Sequence, residues 1–459
     1  MELNKNMYIG LANGVLMYLT KGKYNLLSEI EKEEERYYRF FTVNKTGRDI
    51  VMNITGKSTV TELEHKFCLD NGIDLKENED WLDEFILLLL EKGTVVLQDV
   101  PIEQGELEIA GDGQMISPMM ATVEVTEKCN LRCKHCYLDA SCEKTSIISF
   151  DQFKELVDIF KKNHVLNLEL TGGELFVNPE AYEILELALK QFAMVAILTN
   201  GTILSDKVLT LLSKYKEKII INVSIDSADP EVHDKFRGMK GAFEKSCTNI
   251  KRMAEAGITV RVASSIFNEN MWEIDKLADL SISLGAKMFV FNFVEDFGRG
   301  TKMDKGDKVE DNLDAAAYIK YINDIIEKYK DIIPIVKGED HILGTQNCGS
   351  AVNSIMVGAD GNIRPCALFP KMNLFGNIFE EDFEEIFKKD IYRRISQILP
   401  PSEENGCDKK CRYYANCKGC YLKGLEHNRN TKDPCEWIKK NKLEDMLKIY
   451  ERGFCSCLA

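Results

Sequence analysis

Residues 121–140 read ATVEVTEKCNLRCKHCYLDA, and the fold can be built outward from them. The β-branched, apolar run Ala121–Thr126 predicts a strand. Directly after it come Cys129, Cys133 and Cys136, spaced Cys-x3-Cys-x2-Cys and followed by Tyr137. Three thiolates on one tight loop can hold three irons of a four-iron cluster. The fourth iron then lacks a protein ligand, and an open metal position is where a substrate or cofactor binds. Cys142 could in principle close that position. A structural zinc loop using His135 is the competing reading, although the spacing differs from the usual paired Cys-x2-Cys zinc pattern.

Beyond this loop, strand and helix patterns alternate. Phe153, Leu156, Val157 and Phe160 share a helical face. Leu166–Leu170 predicts a strand, and a helix follows Pro179. Val195–Leu198 and Ile219–Ile225 predict strands, and helices near 243–256 and 271–284 alternate with strands at Ile258–Ile266 and Met288–Phe293. Such βα alternation implies parallel strands with right-handed crossovers. Six βα units predict an α/β chain with a partial (β/α)6 barrel rather than the full eightfold one.

Upstream, the first hundred residues predict a small α+β unit. Gly14–Leu19 and Tyr37–Val43 suit strands. Ile50, Val51 and Ile54 share a helical face that stops at Gly56. Thr59 and Glu62 form a capping-box pair for a second helix carrying Val60, Leu63 and Phe67. A third helix carries Trp81, Phe85, Leu88 and Leu89 and ends at Gly93, before a short strand at Thr94–Gln98. The acidic run Glu29–Glu35 reads as solvated surface. Pro101–Pro118, with three glycines and little apolar pattern, reads as a linker.

The chain has 459 residues, a formal net charge of −15 and 15 cysteines. The charge argues against a general nucleic-acid or membrane-surface binder. The start MELNKNMYIGLANG lacks a signal-peptide pattern, and the longest apolar run, Phe192–Leu198, is far short of the ~20 residues of a membrane span. An odd number of cysteines, well below the density of a disulfide scaffold, predicts a reduced, cytoplasmic protein whose cysteines bind metal. They fall in two clusters. One is Cys129–Cys142, and the other runs from Cys348 to Cys457. Cys68 and Cys247 stand apart from both.

The cysteine loop, its aromatic Tyr137 and its place after the first barrel strand resemble the radical S-adenosylmethionine (SAM) superfamily. Thr171-Gly172-Gly173-Glu174, one βα unit later, is similar to that family's Gly-Gly-Glu motif. The resemblance implies that Gly172 and Gly173 admit the methionyl part of SAM and that the Glu174 carboxylate meets its ammonium. By place in the barrel, it also implies SAM contacts at Asn200, Ser224, Asp226, Asn292 and Val294, with Arg237 on the SAM carboxylate. Reductive cleavage of SAM at a [4Fe-4S] cluster held by Cys129, Cys133 and Cys136 would yield a 5′-deoxyadenosyl radical. An electron donor such as ferredoxin or flavodoxin is implied with it.

The second cluster reads Cys348, Gly361-x4-Cys366, then Cys407-x3-Cys411-x5-Cys417-x2-Cys420 and Cys435. It resembles the seven-cysteine SPASM extension of radical SAM enzymes that modify peptides and proteins. The outer spacings of its central four are exchanged relative to the usual pattern, and seven cysteines exceed one zinc site. The resemblance implies two auxiliary [4Fe-4S] clusters: one on Cys407, Cys411, Cys417 and Cys435, the other on Cys348, Cys366 and Cys420. The stretch His341–Asn347 has no cysteine, which implies an open iron on the latter, suited to a substrate thiolate.

The N-terminal unit resembles the PqqD-like element, a winged-helix fold that binds a leader peptide as an added strand against the third helix. The implied organisation is a recognition domain at 1–100, a linker at 101–117, a radical SAM core at 118–335 and a SPASM domain at 336–459. Together with Phe297-Gly298-Arg299-Gly300, Arg364–Lys371 and Cys417–Gly424, these features resemble the sactisynthases of the subtilosin type. That group implies a thioether between a precursor peptide's cysteine sulfur and an α-carbon of an acceptor residue, or a β- or γ-carbon in close relatives. Asp296, just after the sixth strand, is a candidate proton acceptor. Peptide epimerisation with Cys142 or Cys247 as hydrogen donor, sulfatase-type protein oxidation, and an iron–sulfur electron-transfer or sensing protein are the other readings. Cys68, Cys142, Cys247, Cys455 and Cys457 are left without a cluster.

Overall fold

The computed structural model describes residues 3–20, 23–32, 35–110, 119–309, 315–337, 349–351, 354–372, 374–408, 410–411 and 414–455. Cys348, Cys457 and the 341–347 stretch lie outside the described residues. The chain forms two compact units, Met1–Ser117 and Pro118–Ala459.

The first unit runs β1 (Tyr8–Leu11), β2 (Val15–Thr20), β3 (Lys23–Lys32), β4 (Glu35–Val43), α1 (Lys45–Met52), α2 (Val60–Asn71), α3 (Leu75–Glu91), β5 (Val95–Gln98) and β6 (Glu108–Ala110). β1 pairs antiparallel with β5. The other four strands form one sheet in the order β4-β3-β2-β6. The Thr59–Glu62 capping box is present in full at the start of α2, and Gly72 ends that helix in the left-handed conformation. Val51, Leu63, Phe67, Ile86 and Leu89 pack with Met17 and Leu26 into one core. The acidic run falls on strands, since Glu29–Lys32 lie in β3 and Glu35 opens β4, paired across the hairpin. One sequence expectation changes. The stretch expected to be a linker supplies β6, which pairs parallel with β2, so the unit extends to residue 117.

The second unit continues with β7 (Met120–Glu124), α4 (Phe150–Lys162), β8 (Asn167–Thr171), α5 (Ala181–Gln191), β9 (Met194–Thr199), α6 (Asp206–Lys214), β10 (Ile219–Ser224), α7 (Pro230–Arg237), α8 (Ala242–Glu255), β11 (Thr259–Ile266), α9 (Ile274–Ser283), β12 (Met288–Phe293), α10 (Ala315–Tyr329), β13 (Ile335–Lys337), β14 (Ser354–Val357) and β15 (Ile363–Arg364). One sheet runs β13-β12-β11-β10-β9-β8-β7-β14-β15. β7 to β13 are all parallel, as the βα alternation requires. Residues two apart along the strands are buried, for example Ala121 and Val123, or Leu168 and Leu170.

The sheet is longer than the six expected strands. β13 adds a seventh parallel strand, so a boundary at 335/336 falls at its first residue. β14 joins the other edge, parallel to β7 with Ile355 opposite Ala121, and β15 folds back on it. The cysteine-rich region therefore grows out of the barrel's own sheet. The expected helix Glu436–Tyr450 is two helices, Glu436–Lys440 and Glu444–Cys455, parted where Lys442 takes a positive φ of 53°. Among the described residues no helix is long and apolar enough to cross a membrane.

Candidate functional site

The strand ends of a parallel sheet place their following loops at one rim, and the cysteine loop follows β7 there. Cys129 and Cys133 are buried, Cys136 is half-buried, and none is in a disulfide. They pack with Leu131, Leu138, Ala140 and Ala242 in a small apolar cluster. Backbone N–H groups already point at two of the sulfurs: Leu131 donates to Cys129 Sγ at 3.3 Å and Ala140 to Cys136 Sγ at 3.4 Å. Burial pushes the Cys129 thiol up to about 12 and raises that of Cys133. Three soft donors in an apolar cup, served by N–H groups, fit an iron–sulfur cluster, whose binding would displace the thiol protons.

Gly172 and Gly173 approach this loop, not empty space. A Cβ on Gly172 would lie 2.3 Å from the Thr126 carbonyl, and one on Gly173 2.3 Å from that of Lys128. Gly173 N donates to Thr126 O at 2.7 Å and Glu174 N to Lys128 O at 3.0 Å. The turn thus holds the loop by its root, because these buried amides need partners. Glu174 is buried, and its carboxylate accepts from Thr199 Oγ1 (2.7 Å), Asn200 N (2.8 Å) and Phe176 N (3.2 Å). Burial raises its pKa above the usual carboxylate range. Two of these donors, Thr199 and Asn200, stand at the end of β9.

Asn200 is used in the same way. Its Oδ1 accepts from Thr202 N at 2.9 Å, and its Nδ2 donates to Asn130 Oδ1 at 2.9 Å and lies 3.9 Å from Cys129 Sγ. Asp226 is fully buried and paired with Arg237, whose Nη2 reaches Oδ1 at 2.9 Å. Burial alone would raise the Asp226 carboxyl; the guanidinium outweighs it and holds it below the usual range. Arg237 Nη1 lies 3.9 Å from Cys133 Sγ. In the structure the carboxylate beside Arg237 is that of Asp226. Ser224 is half-buried at the end of β10, Asn292 is exposed on β12, and Val294 is half-buried just beyond it. Tyr137 belongs to the apolar cup of the loop. His135 stacks on Phe236 with centroids 4.5 Å apart, and its Nε2 lies 3.1 Å from Ser265 Oγ.

Asp296 is exposed and pairs with Lys308. Its neighbour Glu295 is better shielded and meets the buried Lys423 at 2.6 Å. Sequence reasoning singled out neither Glu295 nor the work of Arg299. That arginine donates to the carbonyls of Cys133 and Ala140, both at 2.8 Å, and to Asp139 at 2.9 Å. Its backbone N–H donates to Cys136 O at 2.9 Å.

In the cysteine-rich region, Cys407, Cys411, Cys417 and Cys435 share one neighbourhood. Burial first, and then the nearness of the other three, raises the Cys417 thiol. Asn428 clips Cys435 in place, donating to its Sγ at 3.3 Å and accepting from its N–H at 2.8 Å. Cys366 and Cys420 are half-buried. Two residues before Cys366, Arg364 meets Glu124 at 2.7 Å, both fully inside the protein. Lys371 pairs with Glu127 and donates to Leu138 O at 3.3 Å. The stretch around Cys366 is therefore bonded directly to the root and rim of the first cysteine loop.

Comparison with known proteins agrees with this architecture. Residues 123–281 match the radical SAM superfamily, and residues 348–421 match SPASM, an iron–sulfur cluster-binding domain. The chain is 39% identical over 417 residues to the antilisterial bacteriocin subtilosin biosynthesis protein AlbA of Bacillus subtilis, covering 90% of this chain and 91% of that one. It is 27% identical over 282 residues to the sporulation killing factor maturation protein SkfB of the same organism, covering 61% and 67%. Its fold matches Streptococcus suis SuiB, solved bound to the precursor peptide SuiA, with a TM-score of 0.64 at 16% identity over 93% of this chain and 98% of that one. SAM, a radical SAM [4Fe-4S] cluster and SPASM iron–sulfur clusters are the cofactors that these domains carry. By its two matched domains and its likeness to AlbA across nine-tenths of its length, the chain belongs to the radical SAM family, in the branch that ends in a SPASM domain.

Proposed function

We propose that the chain matures a ribosomally made, cysteine-containing precursor peptide by closing a thioether between a cysteine sulfur and the α-, β- or γ-carbon of an acceptor residue. One observation carries the reading: the stretch around Cys366 is joined by Arg364–Glu124 and Lys371–Leu138 to the loop of Cys129, Cys133 and Cys136. Cysteines for an auxiliary cluster and cysteines for the SAM cluster thus belong to one bonded framework. When bound, the SAM-site cluster supplies the electron that splits SAM, and the auxiliary clusters supply an acceptor for the electron released as carbon bonds to sulfur.

The chain's own residues have distinct tasks. Cys129, Cys133 and Cys136 hold one cluster, with Leu131, Leu138 and Ala140 keeping water from it. Cys407, Cys411, Cys417 and Cys435 hold a second. Cys366 and Cys420, with Cys348, hold a third that keeps a position for a peptide thiolate. Tyr137, Gly172, Gly173, Ser224, Asn292 and Val294 are SAM-contacting candidates, and so are Glu174 and Asn200, which also brace the loop beneath it. Reducing equivalents would come from a ferredoxin or flavodoxin, and the free thiols suit the cytoplasm.

The first unit is read as a PqqD-like winged-helix recognition element that binds the peptide's leader. β4 lies at the edge of its sheet, and beside it opens a cleft of ≈ 490 Å³ lined by Thr42, Asn44, Trp81, Phe85 and Leu88. A free strand edge next to an apolar helix face is what an added peptide strand needs. The test is mass spectrometry of a cysteine-containing precursor peptide after anaerobic turnover with SAM. Loss of two hydrogens with one fewer free thiol per bond supports the thioether. An unchanged mass with deuterium taken up from solvent would replace it with epimerisation.

A further inference from the structure

Arg237 turns its guanidinium into the cysteine loop. Nε and Nη2 bind Asp226, and Nη1 lies 3.9 Å from Cys133 Sγ, so all three nitrogens have partners. The backbone is fixed as well. Arg237 O accepts from Arg132 N at 3.3 Å, and Phe236 O from Lys134 N at 3.0 Å, which sets the end of α7 against both neighbours of Cys133. Asp226 is held from behind by the Ser265 N–H at 2.9 Å. The result is a buried cation on a ligand sulfur with a buried anion directly behind it.

We propose that Arg237 is a positioning residue that raises the reduction potential of the SAM-site cluster through the Cys133 sulfur, with Asp226 opposing it. One-electron reduction adds negative charge to the cluster. A fixed cation that hydrogen-bonds a ligand sulfur stabilises the reduced form, and a fixed anion behind it offsets part of that gain. The inference concerns the cluster loop and holds whichever bond is made in the peptide.

The test uses the full-length enzyme, reconstituted anaerobically with iron and sulfide. A redox titration is followed by electron paramagnetic resonance on the signal that changes when SAM is added, and SAM affinity is measured separately. Arg237→Gln is expected to move that potential to more negative values, and Asp226→Asn to more positive ones. Arg237→Lys falls between wild type and Arg237→Gln. SAM Kd stays within about threefold throughout, under 1 kcal/mol of binding. If the lone Arg237→Gln does not fold, the Asp226→Asn/Arg237→Gln pair removes both charges and keeps a neutral hydrogen-bonding couple in the site. Its potential should also be more negative than wild type. A rise of about tenfold or more in SAM Kd with an unmoved potential would overturn the proposal and return Arg237 to the SAM carboxylate. Shifts of the same sign in Arg237→Gln and Asp226→Asn would overturn it too, leaving only a structural brace.

Discussion

Arg299 donates through Nε to the main-chain carbonyl of Cys133 at 2.8 Å, across a separation of 166 residues. The same side chain holds Ala140 O and Asp139, and its backbone N–H holds Cys136 O. A single turn after β12 therefore fixes the loop at four points between its second cysteine and its end. Fork geometry makes this a task for arginine, since a lysine ammonium cannot span these acceptors in one plane.

Replacing Arg299 by alanine should cost about 2–4 kcal/mol of local stability, on the scale of two or three hydrogen bonds from a charged donor. The loop should then load iron poorly while the SPASM cysteines still load. Arg299→Lys should recover only part of the loss. Iron and sulfide per chain, with the SAM-dependent resonance signal as the marker of this cluster, check it. Full occupancy in Arg299→Ala would show that the cysteine loop holds its shape unaided.

The Arg364–Glu124 pair makes a sharper energetic test, because both groups are buried. Arg364→Met leaves Glu124 without its cation, in surroundings where burial already raises its carboxyl. Stranding a buried charge typically costs about 3–5 kcal/mol. Arg364→Met with Glu124→Leu removes both charges and should recover most of that loss. Thermal melting of the two variants decides the matter, and equal losses in both would mean that packing, not charge, is at stake.

Some of this was open to sequence reasoning and some was not. The capping box at Thr59 and Glu62 and the strands from Met120 to Phe293 follow local patterns, and local patterns survive in one dimension. Helix α7 escaped because only His233, Phe236 and Arg237 of its residues are buried, which leaves no apolar stripe. Its signals were at the ends: Asp229 as N-cap, Pro230 at the first position and Gly238 after the last. The cysteines declare themselves by residue type. Arg299 does not, because it acts on main-chain carbonyls, which every residue has. The pairing of Ser354 beside Met120 joins chain segments too distant for any periodicity to show.

The cleft in the first unit predicts a binding variant that leaves the chemistry alone. Leu88 is an exposed apolar residue on α3 that lines it. Leu88→Glu should place a charge where a leader strand would lie and weaken leader affinity about tenfold or more, roughly 1.4 kcal/mol or above. SAM cleavage without peptide should be unchanged. Titration with a fluorescent leader peptide reads the first effect, and 5′-deoxyadenosine formation reads the second. Unaltered leader affinity would remove the cleft from the recognition site.

A pH effect is expected in the same unit. Lys5 Nζ meets Glu64 (3.3 Å), Glu79 (2.7 Å) and Asp83 (2.6 Å), which ties the N-terminal segment to α2 and α3. Glu64 is buried, and burial with Asp83 beside it pushes its carboxyl up to about 7 despite Lys5. A carboxyl whose folded pKa is raised binds its proton more tightly when folded than when unfolded. Its contribution is therefore fully present below the unfolded value of about 4.5 and lost as pH rises through about 7. Amide exchange across α2 and α3 should be slower at about pH 5 than at about pH 8 after correction for the intrinsic rate. Glu64→Gln keeps a neutral side chain at both values and should flatten the difference. A wild-type protection that instead rises with pH would mean that the Lys5 ion pairs, and not the buried carboxyl, govern this corner of the unit.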